Sequence, residues 1–399
     1  MAAIAPSEPY SIFIRKIGWS VGLEDTFSRV RDLVQLYVAD KEISPASWDR
    51  LVRDEKNGWG LQTNNIADFF NALQLIKVQK REVHVLPCLD ALALAYLDIE
   101  NDQQFSDALK FILGSQLILA DGDIFLNFLA GQFAREKVEP LLRGMILEKR
   151  ARLLNVVRAP QLSERVIRSI SIDVQHTNMG GAAVGKSLSE TKRTTPLASR
   201  TAPLSSRLDP QKVEISDDYF RKVTGRRRDW ARSLGLIDND LALTKVGTTL
   251  LSCFRRAMGC SDDGPITCWP LSLDLERLHL LPEKLSIPRI SLWDHICTVR
   301  EGLKFDAAGT TEAGSATQEV FTQFESMYAS YRRLCPKRDL LRREIPIGVF
   351  FHAVVACYIA KCRPLPDLRS TMEALGSDSS GSIIYRNSKN FEATISLRA

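Results

Sequence analysis

The segment Val223-Thr-Gly-Arg-Arg-Arg-Asp-Trp-Ala-Arg-Ser-Leu-Gly-Leu-Ile237 decides the fold that we predict for this chain. The residues before it, Ile215–Phe220, predict a short helix. Because glycine favours turns and helix ends, we predict a tight turn at Gly225, a basic helix after it and a helix stop at Gly235. Two helices joined by such a turn are typical of a helix-turn-helix unit.

The residues that follow predict a wing and a closing helix. Leu236–Thr244 places short apolar runs on either side of the turn residues Asp238-Asn-Asp240, which indicates a hairpin. Lys245–Met258 carries apolar residues at helical spacing. We therefore predict a central winged helix with a helical extension over residues 211–305.

Two runs in this region resemble winged helices of bacterial restriction and phage-defence proteins. They are Thr224-Gly-Arg-Arg-Arg-Asp-Trp-Ala-Arg-Ser-Leu-Gly-Leu-Ile237 and Leu243-Thr-Lys-Val-Gly-Thr-Thr-Leu-Leu251. In those proteins a helix ending in LGLI is followed by a short wing and a helix of the LT..G..LL type. The resemblance implies a recognition or adaptor subunit of a bacterial defence or regulatory system, whose chemistry is carried out by another protein.

Basic residues cluster at the start of the predicted second helix. The first turn of a recognition helix faces the major groove, where arginine can fork onto guanine or hold phosphates. We therefore expect double-stranded DNA as a partner, with contacts from Arg221, Lys222, Arg226, Arg227, Arg228 and Arg232. A solvated basic helix face, or a surface that pairs with an acidic protein, is the alternative that the same residues allow.

The N-terminal residues 1–87 predict a similar order of three short helices and a hairpin. The third helix begins with polar residues, and amide side chains can read adenine edges while wing lysines hold phosphates. The expected DNA contacts here are Asn64, Asn65, Lys77, Lys80 and Arg81. Asparagine is also an ordinary helix cap, so a purely structural role for the two amides stays open.

The remaining chain supplies packing and connections. Residues 88–158 predict a helical region, and residues 159–210, rich in Ser, Thr, Gly and Pro, predict a flexible basic linker. Residues 306–399 predict a C-terminal helical domain. Because Ser382–Leu397 alternates like a closing hairpin, this domain can be interpreted as a third winged helix.

The linker contains Gly180-Gly-Ala-Ala-Val-Gly-Lys-Ser187, which fits the phosphate-binding pattern G-x-x-x-x-G-K-[ST]. That pattern binds phosphates only between a buried strand and a helix, where backbone N–H groups converge on the anion. The residues after it lack apolar periodicity and include Pro196 and Pro203. We therefore interpret the match as accidental and expect no nucleotide cofactor.

Neither a catalytic site nor a metal site is expected. The eight cysteines form no Cys-x-x-Cys pair, and the five histidines stand isolated without a Ser or Cys partner in a recognisable nucleophile context. Cysteines among apolar residues and the lack of a secretion signal predict a cytoplasmic protein. The longest apolar run, Ile345–Ala360, is too short to span a bilayer.

The predicted fold class is mainly α, with tandem winged-helix modules and a helical packing region. A formal net charge of +5 permits an acidic partner without requiring one. Besides DNA we expect protein partner subunits, and self-association into a homo-oligomer stays open. The rival prediction is a protein–protein interaction scaffold without catalysis, because one fold serves many functions. An NTPase or a nuclease is the third alternative.

Overall fold

The structure is a computed structural model. It describes residues 23–54, 59, 63–79, 82–99, 101–144, 215, 217–262, 264, 266, 292–303, 313–334, 345–361, 363, 383–386 and 394–397. The predicted linker, with its phosphate-loop pattern Gly180–Ser187, lies outside these residues, as do Lys80 and Arg81.

The N-terminal half consists of helices and one hairpin, in the predicted order. The elements are α1 (Leu23–Asp40), α2 (Pro45–Arg53), α3 (Thr63–Ala72), β1 (Ile76–Gln79), β2 (Glu82–Val85), α4 (Pro87–Asp98), α5 (Asp102–Ala130) and a helix α6 over residues 135–144. The Ser44 side chain caps α2 by accepting from the backbone N–H of Ser47, and Pro45 occupies the first turn. The side chain of Asn101 caps α5.

The second half adds more helices and a small sheet. Its elements are α7 (Asp217–Ser233), α8 (Lys245–Met258), α9 (Leu292–Leu303), α10 (Ala313–Leu334), β3 (Ile345–Pro346), α11 (Ile347–Ala360), β4 (Ile383–Arg386) and β5 (Thr394–Leu397). The pairing of β4 with β5 confirms the predicted closing hairpin. Strand β3, which the sequence did not predict, adds to β5 in an antiparallel sheet of order β3-β5-β4. The mainly α fold class is confirmed.

The predicted tight turn at Gly225 is wrong. Helix α7 runs without interruption through this position, so Ile215–Phe220 is not a separate helix. Glycine inside a helix costs about 1 kcal/mol relative to alanine. Burial of Val223 and Trp230 on either side of it outweighs that cost, because each side chain is fully buried.

The predicted helix stop after α7 is confirmed, and the predicted hairpin is present but has only one bridge between its two arms. Gly235 has φ +70°, a left-handed conformation that ends the helix. A single antiparallel bridge joins Ile237 to Leu243, and the Asp238 carboxylate accepts hydrogen bonds from the backbone of the turn. Thr244 then caps α8 by accepting from the N–H of Gly247.

Replacing Gly247 by alanine is expected to destabilise the protein by about 1–3 kcal/mol, the usual cost of overpacking a core. A Cβ at this position would overlap the carbonyl oxygen of Leu236 and lie 3.0 Å from its carbonyl carbon. The matched control is Gly225→Ala, where a Cβ meets nothing within 4 Å. That substitution should stabilise α7 by about 0.5–1 kcal/mol. Urea unfolding measures both changes, and equal effects would contradict the assigned contact.

The helices of all the predicted domains share one core. Buried apolar side chains between Val30 and Ala360 form a single cluster, with α5 contacting α1, α4, α7, α8, α9 and α11. The predicted domain boundaries stay a prediction, but these regions do not pack as separate units. None of the described helices can cross a membrane alone. The two arms of α5, Asp102–Leu119 and Ile124–Ala130, reach the necessary length and hydropathy only together, across a bend of 102°.

Candidate nucleic-acid interface

Helix α7 directly precedes the short hairpin and carries most of the predicted DNA contacts. Its inner face holds Val223, Trp230 and Leu234, all buried. The Trp230 ring lies edge-on to the ring of Phe69 on α3, with centroids 5.7 Å apart. This packing fixes the rotation of α7 about its axis and therefore which arginines face outward.

Arg227 is wrong as a predicted DNA contact. Its side chain is completely buried and forms a two-point ion pair with Asp121 of α5, Nε to Oδ2 at 2.6 Å and the second guanidinium nitrogen to Oδ1 at 2.7 Å. A further N–H donates to the carbonyl of Val223 at 2.7 Å, and the guanidinium lies 5.6 Å from the ring centroid of Phe128. Because α7 has no turn at Gly225, position 227 falls on the inner face. Arg227 is a structural residue that ties α7 to α5.

Three of the predicted arginines form an outward row on α7. Arg221, Arg228 and Arg232 are spaced by seven and four residues, which brings them to within about 20° of one direction around a helix. Arg221 and Arg232 are exposed and Arg228 is half-buried. Along the axis the row spans roughly 16 Å at about 1.5 Å per residue. We call these three residues the arginine row.

Neighbouring acidic side chains partly neutralise this surface. Arg221 pairs with Asp218 at 3.2 Å, and Arg226, beside the row, pairs with Asp229 at 3.6 Å. These pairs are exposed to solvent, so each stabilises the helix by less than about 1 kcal/mol and can exchange for another anion. Arg232 donates to the carbonyl of Asn239 at 3.3 Å, which links the row to the hairpin turn. For Arg228 the described residues supply no ion-pair partner.

The N-terminal hairpin presents one polar face. Lys77 on β1 lies opposite His84 on β2, and both are exposed. His84 is 3.5 Å from Glu82. Asn64 and Asn65 belong to the first turn of α3, but their side chains, like that of Lys222 on α7, lie outside the described residues. Of the five contacts predicted in this region, the structure thus locates the side chain of Lys77 alone.

Sequence reasoning missed Asp121. It lies in the run Ile118-Leu-Ala-Asp-Gly-Asp-Ile124, between apolar segments of the predicted packing region. A carboxylate in such a run is seldom buried unless it is paired, which is a signal that a buried cation exists elsewhere in the chain. The signal does not identify that cation, because Arg227 follows 106 residues later.

The prediction that the histidines are isolated is wrong for two of them. His295 Nε2 lies 3.0 Å from the carbonyl oxygen and 3.2 Å from Oγ of Ser115, and His352 Nε2 lies 3.1 Å from the same Oγ. The three residues come from α9, α5 and α11 and are all buried. Ser115 is fully buried, so a substrate can approach this hydroxyl only if the helices separate.

Other site chemistry is sparse in the part of the chain that the structure describes. It contains no group of three His, Cys, Asp or Glu side chains that could hold a metal ion. Burial, with Asp90 as a smaller cause, raises the pKa of Cys88 far above that of a reactive thiol. Comparisons with protein-family models, curated proteins and solved structures find no match for this chain.

Proposed function

We propose that this protein binds double-stranded DNA through the outward face of α7 and is a recognition or adaptor subunit without catalytic chemistry of its own. The observation that carries the proposal is the arginine row, Arg221, Arg228 and Arg232 on one side of a helix whose other side is fixed in the core. Guanidinium groups on a rigid helix can form two-point contacts with phosphates.

The distribution of charge along α7 favours contacts with phosphates over contacts with base edges. A recognition helix inserts its N-terminal turn into the major groove. Here that turn carries Asp217 and Asp218, and Asp217 pairs with Arg135 of α6. Carboxylates at this end would repel phosphates, whereas the arginine row lies further along the helix. We therefore propose an affinity that depends weakly on sequence and strongly on salt.

The order of elements supports winged-helix modules as the finer fold assignment. Helices α1, α2 and α3 lead into the β1–β2 hairpin, and α7 leads into the Ile237–Leu243 bridge and α8. In such modules a wing supplies a second phosphate contact, and the exposed Lys77 is suited to that role. We further propose a cytoplasmic protein with partner subunits, as the resemblance to bacterial defence proteins implies.

A protein-interaction scaffold is the second candidate function. The ion pairs Arg221–Asp218 and Arg226–Asp229 favour it, because a mixed-charge surface matches another protein better than it matches a polyanion. The two functions differ in their response to salt and to removal of the arginine row, so one experiment separates them.

The triple variant Arg221→Gln, Arg228→Gln and Arg232→Gln is expected to weaken DNA binding roughly tenfold or more at low salt. The slope of log K against log salt should become shallower by about 0.9 for each phosphate that the variant no longer neutralises. Fluorescence anisotropy of a labelled duplex across a salt series measures both quantities. Arg227 keeps its native identity in this design, because changing it would disturb the core.

The matched control is Arg332→Gln, Arg333→Gln and Arg363→Gln, which removes the same charge from exposed positions far along the chain. It should leave the slope nearly unchanged. If both variants weaken DNA binding equally, the loss of affinity comes from the lower net charge of the protein, and the arginine row is not a defined interface. If the wild-type protein binds no DNA even at low salt, the DNA proposal is overturned and the scaffold becomes the leading candidate.

A further inference from the structure

We propose that Ser115, His295 and His352 form a pH-sensitive latch, which holds α9 and α11 against α5 at neutral pH and releases them in acid. This function is independent of DNA binding. The latch joins three helices that are far apart in the sequence, since Ser115 is separated from His295 by 180 residues and from His352 by 237.

The hydrogen bonds of the latch are complete only when the imidazole of His352 is neutral. His352 Nδ1 donates to the carbonyl of Gly348 at 2.9 Å, so its Nε2 is free to accept from the Ser115 hydroxyl. His295 Nε2 donates to the carbonyl of Ser115, with the Oγ as a second acceptor. Each ring thus has one defined tautomer, and the shared serine fixes the position of both.

Protonation of His352 breaks this arrangement. A proton on Nε2 turns the acceptor of the Ser115 hydroxyl into a donor, and the hydroxyl hydrogen then loses its partner in a buried site. The imidazolium also places a positive charge among apolar and aromatic groups, with Phe111 packed beside this ring and Phe254 beside that of His295. A buried charge without a counter-ion is strongly unfavourable.

The described surroundings supply no counter-ion. Helices α4, α5, α8, α9 and the end of α11, which pack around the latch, carry described charged side chains at Asp90, Asp98, Asp102, Asp107, Lys110, Asp121, Lys245, Arg255, Arg256, Arg300, Glu301 and Lys361. None of them contributes to the pKa of either histidine. Asp121 and Asp98 are already paired with Arg227 and Lys361. Protonation is therefore relieved by separation of the helices, which admits water to the site.

The direction of the pH effect follows from burial. Burial lowers the pKa of His295 to about 3 and that of His352 to about 4, whereas an exposed histidine has a pKa of about 6.5. The released state therefore binds more protons than the closed state, and the contribution of the latch to stability is lost as pH falls below about 6.5. Each histidine shifts the equilibrium towards release by up to about tenfold per pH unit until its own lowered pKa is reached.

Hydrogen–deuterium exchange on the full chain tests the latch. Between pH 7 and pH 5, protection factors corrected for intrinsic exchange should fall at least tenfold in α9 and α11. Protection in α1 and α2 should change much less. The variants His295→Gln and His352→Gln should each halve the pH dependence. The control His84→Gln removes a histidine that is exposed on the β1–β2 hairpin and should leave it unchanged.

The wild-type measurement decides the proposal even where a variant fails to fold. Selective loss of protection in α9 and α11, reversible on return to pH 7, supports the latch. Uniform loss across all described helices, or no loss down to pH 5, overturns it. A pH dependence that stays undiminished in both folded glutamine variants overturns it as well, because the protons would then bind elsewhere.

Discussion

Replacing Arg227 by methionine is expected to lower the free energy of unfolding by about 3–5 kcal/mol, the usual cost of removing one partner from a buried ion pair. The substitution leaves the Asp121 carboxylate 4% exposed and without its guanidinium. It also removes the hydrogen bond to the carbonyl of Val223 and the contact with Phe128. Lysine at this position should rescue little, because an ammonium cannot form the two-point contact.

The double variant Arg227→Met with Asp121→Leu separates the ion pair from general packing. Removing both charges leaves no uncompensated ion, so this protein should be more stable than Arg227→Met alone. The matched control is Arg228→Met, one position along the same helix but half-buried, which should cost less than about 1 kcal/mol. Urea unfolding curves give all these values. Additive effects in the double variant would mean that the two side chains do not interact.

The second large effect is expected from Trp230→Ala, which should destabilise the protein by about 3–5 kcal/mol. Trp230 is fully buried and its ring contacts Phe69, so truncation opens a cavity between α7 and α3. Trp230→Phe should cost much less. The phenyl ring fills most of the space, and the change removes a buried indole N–H that has no acceptor among the described residues.

Thermal unfolding followed by two probes measures this loss of stability and shows whether the N-terminal helices unfold together with α7. If α3 and α7 belong to one cooperative unit, far-ultraviolet circular dichroism and Trp48 or Trp59 fluorescence should shift together in Trp230→Ala. Trp48 and Trp59 form a cluster with Phe70 in the N-terminal half. Their signal is isolated by placing Trp230→Ala in a background in which Trp19, Trp269 and Trp293 are replaced by phenylalanine. Two separate transitions would show that the N-terminal helices unfold independently of α7, contrary to the shared core.

Local patterns were sufficient to predict most of the elements. Apolar spacing predicts α8, and alternation predicts the β1–β2 and β4–β5 hairpins. Gly225 shows where a local rule failed. Its turn preference is worth about 1 kcal/mol, whereas buried side chains on both sides of it each contribute more through packing.

The side-chain partners could not be predicted from sequence, because they depend on contacts between distant segments. The alternatives left open for Arg226, Arg227 and Arg228 all assumed an exposed helix face, yet the helix rotation set by Trp230 places Arg227 inside. His295 and His352 were interpreted as isolated because neither has a Ser or Cys partner in a recognisable nucleophile context in the sequence. Their common partner is Ser115 of α5.

The pairing of Asp121 with Arg227 also constrains when the chain can fold during its translation. A ribosome adds about 5–20 amino acids per second, so roughly 5–20 s separate the appearance of the aspartate from that of its arginine, which follows 106 residues later. During that interval the guanidinium of Arg227 is not yet present beside α5, and the apolar faces that α7 and α11 later cover are still open to solvent. The nascent N-terminal half therefore cannot reach its final packing as it leaves the ribosome. Its folding is delayed until the second half of the chain has been translated.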